Sequence, residues 1–302
     1  MKKSKIILIV VLSVLVIAFA IVAILYIRKY VDLHHLNSGI YFFEHREYLA
    51  YCSDEEKNIY LDCYIVDETY PKGEMITDRY SDFYMIDADG NHYPIADTDA
   101  DAAKLFEGRG NVLTMKTIFH SEIVFPLNAG NKTGSINLCG LHYKNEEGSD
   151  VIRDIGTVEI DILSSFDHAV KAESKLDSGE SVVFPPFKEF EYSFSNESSK
   201  KAYIDEITFG NTGITAEISE KIGIVPGNDP NAEKNIPAHL PEVKYKHPVV
   251  YYLKPRITYH IDGADYQTAA SNALCQKYYN FSPAECKELL YQIDKQYREN
   301  KG

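Results

Sequence analysis

Residues 6–27 (IILIVVLSVLVIAFAIVAILYI) carry no charged side chain, and Ser13 is their one strongly polar member. A helix rises about 1.5 Å per residue, so a run of this length matches the ~30 Å hydrocarbon core of a bilayer and predicts a transmembrane helix. Lys2, Lys3 and Lys5 precede the run and Arg28 and Lys29 follow it. This slight excess of cations before the helix predicts a cytoplasmic N-terminus, with the rest of the chain extracytoplasmic. The rival reading is a cleaved signal peptide, for which Ala18-Phe19-Ala20 has the small-x-small form. Residues 21–27 stay apolar beyond that point, which favours an uncleaved anchor, with Tyr26 and Tyr30 at the interface.

The net charge of −14 is concentrated outside this segment, since the first thirty residues hold only positive charges. So acidic a body repels phosphate backbones, and no basic patch offsets it, so nucleic acid is excluded as an expected partner. Contact with the membrane is expected through residues 6–27 alone.

Beyond the anchor, short alternating or aromatic runs are separated by Gly, Asn, Asp and Pro, which predicts a mainly β chain of antiparallel strands. Residues 59–66, 82–86, 112–119, 135–141 and 156–162 are the clearest strands of a first block. Thr157, Glu159 and Asp161 alternate there with Val158, Ile160 and Ile162, giving one core face and one wet face. A second block repeats the style at 181–184, 187–194, 203–209, 214–218, 249–253 and 256–261. The expected organisation is a short cytoplasmic tail and anchor (1–30), a first β-sandwich (31–163) and a second β-sandwich (164–263).

Residues 223–248 hold five of the twelve prolines, too dense for a helix or a central strand, and are expected to form a long loop within the second sandwich. Residues 264–302 gain helix formers. Ser282-Pro283-Ala284-Glu285 has the form of a capped helix start, and Cys286, Leu289, Leu290, Ile293 and Tyr297 then share one side. Tyr266, Ala269, Ala270, Ala273, Leu274 and Tyr278 have similar spacing, so an αα-hairpin is expected at the C-terminus.

Five cysteines leave one over whichever pairs form. Cys52 and Cys63 lie symmetrically about the polar residues 54–58, as opposite members of a hairpin would, and Cys275 and Cys286 are symmetric about Asn280-Phe281. Two local disulfides are the expectation, with Cys139 left as a buried thiol; the alternative is that all five are reduced. Asp97, Asp99 and Asp101 alternate like the opening of a calcium loop, but Ala102 stands where that loop needs glycine. Asp87 and Asp89 sit in Asp87-Ala88-Asp89-Gly90-Asn91, whose composition suits a hairpin turn. These five aspartates are the candidate metal ligands, calcium the candidate ion, and no other cofactor is expected. No His-Glu-x-x-His, Gly-x-Ser-x-Gly or phosphate-loop pattern occurs, so no catalytic residue is assigned.

Residues 83–93 (FYMIDADGNHY), together with Ile123-Val124-Phe125-Pro126, resemble the strand, Asp-rich Gly turn and Tyr element of small immunoglobulin-like domains. Such domains are found behind lipid or helical anchors in Gram-positive bacterial surface proteins. The resemblance covers about fifteen residues and implies an extracytoplasmic accessory or binding module, with no catalytic residues to carry over. The expected function is accordingly binding of a protein or cell-envelope partner, through the proline-rich loop and the aromatic edges that twenty-three tyrosines supply. The alternatives are a non-catalytic subunit of a membrane transporter or sensor complex, and an extracellular hydrolase with a carboxylate site.

Overall fold

The computed structural model describes residues 12–27, 36–67, 79–94, 106–113, 116–127, 133–164, 169–174, 189–216, 218, 222–227, 234–239, 248–277 and 283–299. Strands dominate, as the alternating runs predict. The N-terminal helix α1 is described over residues 12–27. Among the described residues no helix is long and apolar enough to cross a membrane, which corrects the expected transmembrane helix over 6–27. Its large side chains, from Leu12 through Phe19 to Ile27, are all more than half exposed.

Two sheets enclose the first core. Strands β1 (Gly39–Phe42), β3 (Asn58–Asp67), β6 (Phe106–Leu113) and β7 (Lys116–Pro126) form a four-stranded sheet in the order β1-β3-β7-β6. The second sheet is built from β2 (Glu44–Cys52), β4 (Ser81–Asp87), β5 (His92–Pro94), β8 (Gly134–Lys144), β9 (Asp150–Leu163), β16 (Val249–Lys254) and β19 (Leu274–Lys277). Its order is β19-β16-β2-β9-β8-β4-β5. Ile59, Leu61 and Phe125 from one sheet and Leu49, Leu141 and Ile160 from the other meet in one buried cluster.

The second core lies between two further four-stranded sheets. One is β10 (Val170–Ser174), β11 (Glu189–Asn196), β15 (Lys234–His239) and β13 (Thr215–Ala216); the other is β14 (Ile222–Ile224), β12 (Ala202–Thr208), β17 (Arg256–Ile261) and β18 (Ala264–Ala269). The proline-rich stretch is thus not a single loop, since β14 and β15 fall within it. Pro237 stands on β15 opposite Glu191 of β11, and β13 pairs with β15 at Ala238 and His239 beside it.

The expected pair of purely antiparallel sandwiches is also corrected. Strand β2 runs parallel to both neighbours, β9 and β16, so the seven-stranded sheet is mixed. All six residues of β16 are buried. Val250 and Tyr252 join the first core, whereas Val249, Tyr251 and Leu253 join the second. A strand covered on both faces reads as an unbroken apolar run, which is what VVYYL is. Through β16 the two cores share a wall.

The first half of the expected αα-hairpin is strand. Asp262 and Gly263 both take positive φ (51° and 80°), and Ile261 pairs with Ala264 across them, the two-residue turn whose twist suits a hairpin. That turn delivers residues 264–269 as β18, and β19 comes next in the chain. The helix α2 (Pro283–Glu299) forms as its cap predicts, and Cys286 and Leu290 bury in the first core. It is fastened there by Asp294, which accepts hydrogen bonds from Asn37 Nδ2 (3.1 Å) and the Tyr41 hydroxyl (3.0 Å), and by Tyr297, whose ring lies 4.3 Å from the Arg153 guanidinium.

Gly156 is a position where only glycine fits. It pairs with His45 across the parallel β2–β9 ladder at φ +90°, and a Cβ there would stand 2.3 Å from the His45 carbonyl oxygen and 2.7 Å from its nitrogen. Both obstacles are backbone of the central strand, so neither can swing aside. Gly156→Ala is expected to lower stability by about 1–3 kcal/mol, measured as a shift of the urea midpoint at unchanged slope. An unchanged midpoint would show that the ladder at His45 is not held as described.

Candidate functional site

The β2–β3 connection does not close a hairpin. It carries the chain from the seven-stranded sheet to the four-stranded one through a turn at Ser53 and Asp54, closed by the Glu55 N–H on the Cys52 carbonyl (3.0 Å), with Glu55 and Glu56 following it. Beneath it is a cleft of about 510 Å³, walled by Tyr51, Tyr60 and Tyr252 and floored by Lys254. Ser271 and Asn272 close the far side, and both are tied to the second body. Ser271 Oγ donates to the Ala172 carbonyl (3.0 Å), while Asn272 Oδ1 accepts from the Ser174 N–H (2.8 Å). The cleft therefore opens at the junction of the two cores, a common place for ligand sites.

Strand periodicity places the lining. Tyr252 and Lys254 alternate with Tyr251 and Leu253, so the first pair faces the cleft while the second faces the other core. Lys254 is nearly enclosed. Its ammonium lies 4.2 Å from the centre of the Tyr51 ring and 3.0 Å from Glu55 Oε2, which also accepts the Cys52 backbone N–H at 2.7 Å. Burial pulls the Lys254 pKa below its ordinary value, and the Glu55 carboxylate only partly opposes this. The Tyr51 hydroxyl donates to the Asn58 carbonyl, which fixes the ring under the turn.

Behind the cleft, aromatic rings continue into the core as a ladder. Tyr60 stacks on Tyr252 (centroids 5.5 Å, 16° between planes), and Tyr252 lies parallel to the His45 ring (6.4 Å, 4°). His45 is fully buried, with Nδ1 2.5 Å from Glu47 Oε1 and Nε2 3.0 Å from the Asp62 carbonyl oxygen. Desolvation opposes its charge, but the hydrogen bond and charge of Glu47 outweigh this and the His45 pKa is raised. The ladder orients Tyr60 from behind, so the cleft wall is set before any ligand arrives.

The residues singled out from the sequence fall elsewhere. Asp87 closes the β4–β5 turn: Oδ1 accepts the N–H groups of Asp89 (3.0 Å) and Asn91 (2.7 Å), and Oδ2 accepts Asn91 Nδ2 (2.8 Å) and the Tyr93 hydroxyl (2.9 Å). These bonds, that from the Asn91 side chain first, lower its pKa and commit the carboxylate to the turn. Asp89 is exposed there, and Asp97, Asp99 and Asp101 lie outside the described residues. Among the described residues no group of three metal-binding side chains occurs.

None of the five cysteines forms a disulfide. Cys52 and Cys63 are in different sheets, because the turn between them switches sheets instead of reversing within one. Cys275 lies on β19 and Cys286 on α2, so the helical hairpin that would have made them symmetric is absent. Burial pushes the Cys286 thiol up to about 11. Cys139 is exposed on β8, contrary to the expected burial, beside the register shift at Leu138/Gly140.

No protein-family model matches the chain, and no curated protein matches it. Among solved structures it is similar to a protein of unknown function from Porphyromonas gingivalis W83 at 11% identity, covering 77% of this chain and 98% of that one with a TM-score of 0.22. The D00-D0 domain of Intimin is similar at 8% identity, with 79% and 98% covered and a TM-score of 0.20. Likenesses this slight say nothing further about this chain.

Proposed function

We propose that the protein is a non-catalytic, extracytoplasmic binding module of the cell envelope, and that the tyrosine-walled cleft at the junction of its two cores is where it engages its ligand. The cleft carries this reading: a concave site of about 510 Å³, aromatic on its walls, with a few convergent polar groups and a buried lysine, has the make-up of a recognition site. Lys254 and Glu55 neutralise one another in the floor, and Tyr51 and Tyr60 are pinned from behind. Such rigid groups serve recognition, since little side-chain entropy is lost on binding. The broadly exposed apolar side chains of α1 support a location at a membrane surface, since water does not tolerate so large a contiguous apolar area.

The test is co-sedimentation of the full chain with envelope material from its own source. Tyr60→Ala is expected to cut the bound fraction at least fivefold. Asp89→Ala, exposed in the remote β4–β5 turn, leaves it unchanged. Equal binding by Tyr60→Ala and the parent chain would remove the cleft from the interaction.

A further inference from the structure

Resting on that reading, we infer that the ligand of the cleft is a neutral carbohydrate. A pyranose ring offers a flat face of C–H groups, and a tyrosine ring held rigidly in place is the surface on which such a face packs. Tyr60 is half-buried, lines the cleft and is stacked on Tyr252, which is itself parallel to the buried His45 ring. The platform is fixed from behind by a ladder that reaches the core.

Charge selects against ionic ligands. Among the described residues Lys254 is the one cation lining the cleft, and it is already committed to Glu55 at 3.0 Å and to the Tyr51 ring at 4.2 Å. Glu56 is exposed at the rim and leaves the lining net negative, which disfavours anionic ligands. A cationic ligand would in turn meet Lys254 together with Lys57, which is buried close enough to act on it. A neutral molecule bearing hydroxyl groups suffers neither penalty. Glu56 and Asn58, which line the cleft with Tyr60, carry a carboxylate and an amide, group types that hydroxyls pair with.

Shape points the same way. The site is a partly open cleft of about 510 Å³, with room for one or two sugar rings.

Isothermal titration calorimetry on the full chain tests the inference, in a phosphocholine detergent that carries no sugar. The probes are neutral oligosaccharides of hexoses, N-acetylhexosamines and pentoses, with an oligouronate and hexalysine as charged controls. The expected result is a neutral oligosaccharide binding with Kd of about 0.1–1 mM and the oligouronate at least tenfold weaker. Tyr60→Ala should weaken the neutral ligand at least tenfold, and Tyr60→Phe should restore it, with both variants melting as the parent does. Binding of a charged control alone, lost in Tyr60→Ala, would keep the cleft as a binding site and overturn the carbohydrate. Saccharide binding indifferent to Tyr60 would overturn the assignment to this cleft. No binding by any probe would overturn both readings.

Discussion

Glu47→Ala should cost about 3–5 kcal/mol at pH 6, among the largest losses available to a single substitution in this chain. His45 and Glu47 are both almost fully buried on β2, and each ring nitrogen of His45 meets an acceptor: the Glu47 carboxylate at Nδ1 and the Asp62 carbonyl at Nε2. Only the imidazolium donates at both positions. Removing the carboxylate leaves burial to drive the ring neutral, so the ion pair and one of its two acceptors are lost inside a strand that lies between two parallel neighbours.

The pH dependence is set by the direction of the shift. Because the folded pKa of His45 is raised, its contribution to stability is complete below the unfolded value of about 6.5. It is lost as pH rises through the folded pKa. Urea unfolding of the parent chain should therefore show falling stability as pH climbs from 6.5, and Glu47→Ala should lack that component, so the difference between the two narrows in alkali. A cost below about 1 kcal/mol with no change of slope would mean that the pair is not ionised.

Asp161→Ala is expected to cost about 3 kcal/mol and to loosen the two bodies. Asp161 lies on the face of β9 turned away from the first core and is nearly buried. Its carboxylate accepts hydrogen bonds from the Tyr48 hydroxyl (2.7 Å), from Arg256 Nη1 (2.8 Å) and from Ser135 Oγ. Arg256 begins β17 in the second body, so this ion pair joins the bodies directly. Breaking it strands a guanidinium and a hydroxyl in a largely dry contact. Glu159, two residues earlier, makes a smaller link to Asn211, accepting its backbone N–H at 3.0 Å. The variant should melt earlier and show a larger radius of gyration in solution scattering. Asp161→Asn should retain part of the stability by keeping an acceptor. A two-body contact unaffected by Asp161→Ala would place the coupling in β16 and in the links at Glu159, Ser271 and Asn272.

Strand content was legible because it is local. The alternation from Thr157 to Ile162, the turn at Asp87 to Asn91 and the capped start of α2 at Pro283 are written within a few residues each. The features that escaped depend on distance in sequence. That β2 lies between β9 and β16 is set by contacts more than a hundred residues apart, and nothing in residues 44–52 announces parallel neighbours. The same holds for the cleft, where Lys254 and Glu55 are 199 residues apart. The run VVYYLK gave the one local signal, a lysine ending a strand otherwise apolar on both faces. The C-terminal error has a different cause: Tyr266, Ala269 and Ala270 match a helical spacing, but the Asp262-Gly263 turn decides the conformation of the residues after it.

Hydrogen–deuterium exchange of the full chain, with and without envelope material, tests the central claim most directly. Binding in the cleft predicts that protection is confined to residues 51–60, 252–254 and 271–275, which border it. Protection centred on the exposed face around Ile152 and Tyr84, with those three segments exchanging as before, would contradict it.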